Sequence, residues 1–96
     1  MSLLYTRSGI PHIFKDTITT VGRTHSFNGY SKWIKITATT NPCLVYFSEE
    51  DFDAGTSFIT VDTSSPVELP LEVNNIWLKG SGGDSTVEIV AALRLN

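Results

Sequence analysis

Segments in which apolar and polar residues alternate recur along this chain about every ten residues, and this period-2 pattern limits the fold more than any other feature. Residues 67–73 show the pattern most clearly, since Val or Leu occupies every second position. Residues 86–95 repeat it over the longest stretch. No window sustains apolar residues at helical spacing between good caps, so the pattern predicts β-strands rather than helices.

Turn-forming residues divide these segments into about seven predicted strands. The strands lie at residues 14–21, 33–40, 43–47, 58–63, 67–73, 76–79 and 86–95. Residues 48–55 are predicted to form an acidic loop, and residues 80–84 a glycine-rich hairpin tip. Pro70 cannot donate a ladder hydrogen bond, so its strand is expected at a sheet edge or interrupted there. Short strands at this spacing are typical of an all-β fold, here an antiparallel two-layer β-sandwich that is immunoglobulin-like or jelly-roll-like.

The length of the chain, ninety-six residues, is enough for one hydrophobic core and one domain. Residues 1–15 differ from the rest, because their apolar side chains follow no strand pattern and Ser8-Gly9 interrupts them. We therefore predict an extended N-terminal arm over 1–15 and a β-sandwich domain over 16–96. An apolar arm without a sheet partner is expected to dock on a neighbouring molecule.

Charge and cysteine content exclude several classes of partner. The formal net charge is −3 and Lys and Arg form no run, so nucleic acid is not an expected partner. The single cysteine, Cys43, rules out an internal disulfide and suits a reducing compartment. No apolar stretch approaches the roughly 18 residues of a membrane span, and residues 1–7 lack a signal-peptide pattern, so no membrane association is expected.

The side chains that carry chemistry in enzymes and metal proteins form no recognisable constellation here. His12 and His25 are predicted to be ordinary loop residues, because a zinc site needs three or four convergent ligands. The acidic loop departs from the EF-hand spacing and is predicted to be a solvated turn. Cys43 begins a strand, where a small buried hydrophobe is expected. The chain is therefore predicted to be no enzyme and to bind no cofactor or metal.

A second apolar face is the most informative feature of the predicted strands. If Ile34 and Ile36 point to the core, then Trp33 points outwards, and the same alternation places Trp77 outside. Exposed apolar patches mark interaction sites, and Tyr and Trp are enriched at interface anchors. The alternative is that bulges reverse this alternation in one or two strands. The interface candidates, including those of the arm, are Leu4, Tyr5, Ile10, Trp33, Tyr46, Phe58 and Trp77.

About two thirds of the chain is covered by a characteristic order of segments, which are 33–36, 44–48 with its acidic loop, 67–71, 76–80 with its small-residue tip, and 87–92. In this order the chain resembles the small β-sandwich virion proteins of tailed bacteriophages. It is a likeness of style without a shared motif, so it assigns no role to any residue. It implies a protein that decorates or cements the phage head, or forms part of a fibre or spike, through oligomerisation and lattice contacts.

The first functional hypothesis is therefore a non-catalytic structural virion protein that is assembled in the host cytoplasm. Its expected partners are copies of itself, with a trimer favoured, and the major capsid protein or another virion protein. The alternative hypothesis is a carbohydrate-binding or receptor-binding β-sandwich module. In that case, Trp33 or Trp77 would stack on sugar rings beside polar side chains.

Overall fold

Eight β-strands and one short helix make up the part of the chain that the structure, a computed structural model, describes, which is residues 10–94. The strands are β1 (Ile10–Ile18), β2 (Arg23–Ser26), β3 (Ser31–Thr39), β4 (Cys43–Tyr46), β5 (Phe58–Val61), β6 (Val67–Leu69), β7 (Asn75–Gly80) and β8 (Ser85–Leu93). The helix α1 (Glu49–Ala54) lies between β4 and β5. Strands therefore dominate the chain, as the period-2 pattern predicts.

The strands form two antiparallel sheets of four strands each. Sheet A has the order β1-β8-β3-β6, and sheet B has the order β2-β7-β4-β5. This arrangement confirms the predicted two-layer β-sandwich. The chain crosses from one sheet to the other at every connection except that between β4 and β5. This connectivity is that of a jelly roll rather than of an immunoglobulin domain.

The core lies between the two sheets and is filled by alternate residues of their strands. In β3, Ile34 and Ile36 are fully buried, as the alternation predicts. In β7, Ile76 and Leu78 are buried in the same way. The other buried apolar side chains of the core cluster are Ile18, Phe27, Ala38, Cys43, Val45, Val61, Val87, Ile89 and Ala91. Their removal from water is the main favourable contribution to folding.

The first strand begins earlier than predicted. β1 starts at Ile10 and pairs with β8 along its whole length, from Ile10 opposite Leu93 to Ile18 opposite Ser85. The predicted arm over 1–15 is therefore wrong for residues 10–15, which belong to the sandwich. Its remaining residues, including Leu4 and Tyr5, lie outside the described part. The start of β1 escaped the pattern because its inward positions include His12 as well as apolar residues.

The strand β2 was not predicted, because its sequence is almost entirely polar. Its four residues pair with β7, with His25 opposite Ile76. His25 is the one buried residue of this strand. A pattern that counts histidine as polar finds no alternation here.

The acidic segment is a helix rather than the predicted loop. Ser48 caps its start, since the Ser48 hydroxyl oxygen accepts a hydrogen bond of 3.1 Å from the backbone N–H of Asp51. Gly55 ends it in the left-handed conformation, with φ of 72°. The acidic residues fill the first turn, where the helix dipole favours negative charge. Six residues are too few to reveal a helical period in the sequence.

Two further expectations concern prolines and glycines near the sheet edges. β6 ends at Leu69, immediately before Pro70, and is one of the two edge strands of sheet A, as predicted. The segment 80–84, in contrast, is not a hairpin tip, because it leads from β7 in sheet B to β8 in sheet A. The backbone is crowded in this crossing. A Cβ atom at Gly80 would lie 2.4 Å from the carbonyl oxygen of Gly83 and 2.8 Å from that of Ile18.

We expect Gly80→Ala to lower the free energy of unfolding by about 1–3 kcal/mol, because both obstructing atoms belong to the backbone and must shift to admit the methyl group. Urea unfolding followed by tryptophan fluorescence measures this loss. Ser81→Ala, which alters the next residue without adding an atom there, is the control and is expected to change the unfolding free energy little. Equal stability of Gly80→Ala and the parent chain would contradict the crowded crossing.

Candidate functional site

Three of the predicted interface aromatics lie in one row on the outer face of sheet B. The register places Tyr46 opposite Trp77 on one side and opposite Phe58 on the other. All three point away from the core, since Val45 and Leu78, their neighbours along the strands, are fully buried. The predicted parity is therefore right for these strands.

The helix α1 covers part of this row. The Phe52 ring lies 5.4 Å from the Tyr46 ring at 83°, an edge-to-face contact, and the Phe58 ring lies 5.3 Å from Tyr46. The Lys79 ammonium sits 4.9 Å from the centre of the Phe52 ring. As a result, Tyr46 is only 1% exposed. The prediction that Tyr46 is an interface anchor is wrong, because the chain's own helix occupies the space above it.

Trp33 and Ile10 lie on surfaces apart from this row, whereas Phe58 forms its outer end. Trp33 is on the outer face of sheet A, and its indole Nε1–H donates a hydrogen bond of 3.2 Å to a carboxylate oxygen of Glu68. Phe58 lies at the edge of sheet B and is 43% exposed. Ile10 lies at one end of the sandwich. The structure therefore brings Trp77, Tyr46 and Phe58 together and leaves Trp33 and Ile10 apart from them.

The outer face of sheet A carries an apolar surface that we call the sheet A patch. The register aligns Pro11 with Ala92 and Trp33, and aligns Ile13 with Val90 one step further along. Ile13 is 70% exposed, and the other four residues are half-buried. Within residues 10–94 the only helix lies against sheet B, so no helix covers this patch.

A hollow of about 490 Å³ opens at the end of the sandwich where Ile10 lies. Its lining also includes Asn28, Tyr30 and Arg94. The backbone N–H of Arg94 donates to the Tyr30 carbonyl at 2.8 Å, which holds the two sides of the hollow together. Tyr30 is half-exposed and presents an aromatic ring beside polar groups.

The two histidines form the closest side-chain pair of ionisable groups inside the sandwich. His12 belongs to β1 and His25 to β2, the edge strands of opposite sheets, and their Nε2 atoms are 2.9 Å apart. His25 is only 6% exposed, while His12 is half-buried. The prediction that both are loop residues is therefore wrong. The pair joins the two sheets at an open edge of the sandwich.

Aromatic rings surround the pair. The ring of Phe14 lies 4.2 Å from that of His25, and the ring of Phe27 lies within 5.2 Å of both imidazoles. The Arg23 guanidinium lies 5.3 Å from the centre of the Phe14 ring and forms an ion pair of 2.6 Å with Asp16. The sequence contains one signal of this cluster, which is the pattern His-x-Phe at residues 12–14 and again at residues 25–27. The sequence does not show that these two patterns come together, because their contact depends on tertiary structure.

Burial keeps both imidazoles neutral near pH 7. The pKa of His25 is lowered to about 4. Burial is the largest cause of this shift, and the positive charges of His12 and Arg23 also contribute to it. Burial also lowers the pKa of His12. A neutral imidazole has one N–H and one free nitrogen, so one Nε2–H can donate to the Nε2 of the other ring. Two protonated rings would instead place two N–H groups against each other.

No protein-family model matches the chain, and no curated protein matches it. Among residues 10–94, no three His, Cys, Asp or Glu side chains are grouped so as to hold a metal ion, and no helix is long and apolar enough to cross a membrane. Cys43 is fully buried, as predicted, and burial raises the pKa of its thiol to about 11.

We expect the unfolding free energy to fall by about 2 kcal/mol between pH 7 and pH 5 through His25 alone. The unfolded chain takes up a proton near the ordinary histidine pKa of 6.5, whereas the folded chain resists protonation until about pH 4. Acid therefore favours the unfolded state across that window. Urea unfolding at both pH values measures the effect. His25→Phe, which keeps an aromatic ring, should lose most of this pH dependence, and an unchanged dependence would contradict the assignment.

Proposed function

We propose that this chain is a non-catalytic structural protein of a tailed-phage virion, which assembles with copies of itself and with shell proteins through an outer sheet face. The phage setting rests on the resemblance in segment order. The jelly-roll connectivity is compatible with it, since viral capsid proteins use this fold, although lectins and cupins use it as well. Because a fold does not determine a function, the proposal depends on the exposed side chains of the domain.

The observation that carries the proposal is the sheet A patch. An isoleucine that is 70% exposed in the middle of a nine-residue strand leaves apolar area in water that burial would favour by roughly 25 cal/mol per Å². Half-buried Val90 and Trp33 extend this apolar area across the neighbouring strands. A second protein that binds the sheet A patch would cover all of these apolar side chains in one interface.

The contrast between the two sheets supports an interface on sheet A. The chain itself covers part of the outer face of sheet B, because Phe52 of α1 packs against Tyr46. No described helix does the same for sheet A. Lys35 and Glu68 lie opposite each other in the register on the far side of the patch, which gives it the polar rim that protein interfaces have.

The partner proposed for the patch is a second copy of the chain, with a trimer as the favoured assembly and with the major capsid or another virion protein as a further contact. A stable interface of this kind buries about 800 Å² per partner, and a few central apolar side chains carry most of its energy. Ile13 is the most exposed residue of the patch and is its proposed centre. Assembly in the host cytoplasm suits the unpaired thiol of Cys43.

Ile13→Asp is expected to weaken self-association at least about tenfold, because it places a charge at the centre of the apolar contact. Light scattering over a concentration series measures the mass of the parent and of the variant. Val21→Asp is the matched control, since Val21 is an aliphatic residue that is 80% exposed outside the strands and away from the patch. It should leave the mass unchanged.

Two results would contradict this proposal. One is a parent chain that stays monomeric at every concentration and also fails to bind assembled phage heads. The other is an Ile13→Asp variant that associates as strongly as Val21→Asp. Circular dichroism of both variants establishes that they are folded, so that a loss of mass reports on the interface.

A glycan-binding module is the second candidate function, and the hollow beside Tyr30 is the observation that favours it. Its exposed aromatic ring, with Asn28 and Arg94 nearby, offers a stacking surface beside hydrogen-bonding groups. The predicted sugar-stacking residues Trp33 and Trp77 do not line this hollow.

Tyr30→Ala is expected to abolish any saturable glycan binding, since the stacking surface of the hollow is lost. Calorimetric titration of the parent with a panel of oligosaccharides, followed by the variant, measures this effect. Trp77→Ala is the comparison, because Trp77 lies on the outer face of sheet B. Glycan binding that survives Tyr30→Ala and disappears in Trp77→Ala would move the site to sheet B, and no binding to the parent would remove this candidate.

A further inference from the structure

We propose that His12 and His25 form a two-histidine binding site for a divalent transition-metal ion of the copper or nickel type. The site lies between the sheets at the β1–β2 edge of the sandwich, on the inner face of β1. It is separate from the proposed contact surface, which uses the outer face of the same strand. Imidazole nitrogen is a preferred ligand of these ions.

The distance between the two Nε2 atoms fits this class of metal. Two nitrogen ligands about 2.0–2.1 Å from a metal and at right angles to each other are about 2.9 Å apart, which is the separation in the structure. Tetrahedral zinc would require about 3.3–3.4 Å, so the rings would have to separate. Square-planar or octahedral coordination at adjacent positions fits this separation once the rings turn, so that the Nε2 lone pairs point towards the ion instead of along the hydrogen bond.

The backbone holds both ligands in place before a metal arrives. Antiparallel pairing fixes His12 opposite Ala91 of β8, and the pairing of β2 fixes His25 opposite Ile76 of β7. Phe14 and Phe27 pack against the imidazole rings and limit their rotation. A site whose ligands are already ordered loses little conformational entropy when it binds.

The protonation state also suits metal binding. A metal requires the unprotonated form of each imidazole, and the Nε2–Nε2 hydrogen bond of 2.9 Å already requires an unprotonated nitrogen on the accepting ring. In the metal-free pair, one ring carries its proton on Nε2 and donates it to the other. When the metal binds, that proton moves to Nδ1 of the same ring and both Nε2 lone pairs face the ion.

His12 is half-buried, so the pair can be reached from solvent at the edge of the sandwich. Arg23 is the nearby positive charge, and the carboxylate of Asp16 balances it at 2.6 Å. Because no third His, Cys, Asp or Glu of residues 10–94 joins the pair, water completes the coordination.

Titration of the full chain with Cu²⁺ at pH 7.5 in a non-coordinating buffer tests the site. The expected result is one Cu²⁺ per chain, with an electron paramagnetic resonance spectrum that shows coupling to two imidazole nitrogens. Calorimetry gives the affinity, and the bound ion should raise the melting temperature by mass action. His12→Gln is expected to weaken binding at least about tenfold and to remove the coupling to two nitrogens.

Two controls make the outcome decisive. His12 is half-buried, so His12→Gln should remain folded, whereas His25→Gln removes the buried ring and serves as a second variant if it folds. Ile13→Asp keeps both histidines and should bind Cu²⁺ like the parent, which separates this site from the proposed interface. The inference is overturned if the parent binds no Cu²⁺ at 100 µM, if the spectrum lacks two imidazole nitrogens, or if His12→Gln binds as tightly as the parent.

Discussion

The pairing of the last strand, β8, between β1 and β3 is the constraint on which the rest of the structure depends. β1 is an edge strand, and β8 is its hydrogen-bonded neighbour over all nine residues. The register of this pair therefore decides which side chains of β1 enter the sandwich. His12 faces inwards and meets His25, while Ile13 faces outwards and lies beside Val90. Both surfaces with functional potential thus come from one strand and one register.

The sequence pattern predicts the fold best where the inward residues are ordinary hydrophobes. In β3, β7 and β8 the buried positions hold Ile, Leu, Val and Ala except at strand ends, where Ser31, Gly80 and Ser85 are buried, so alternation and burial largely coincide. The pattern fails at β2 and at the start of β1, because His25 and His12 occupy inward positions. Their Nε2 atoms form a hydrogen bond with each other rather than with water. A histidine is apolar enough to be buried once it has a partner, and that partner comes from a distant part of the chain.

The functional surfaces could be predicted only in part, for a related reason. Alternation along a strand shows that Trp33 and Trp77 point away from the core, and the structure agrees. Alternation does not show which sheet a strand joins, so it could not separate Trp33 on sheet A from Trp77 on sheet B. Nor could it reveal that α1 covers Tyr46, since a helix of six residues leaves no periodic signal. Topology and a short helix together decide which aromatics remain exposed.

The histidine pair and the exposed isoleucine are two consequences of the same choice of register. A shift of β1 by one residue would bury Ile13, but it would also expose Phe14 and Ile18 and would turn His12 away from His25. The observed register keeps the larger apolar set inside. It leaves His25 buried, where loss of its partner would strand a polar nitrogen in an apolar site. The strand is thus held from the inside by a polar contact, while Ile13 stays on the outer face of sheet A, where the proposed partner would cover it.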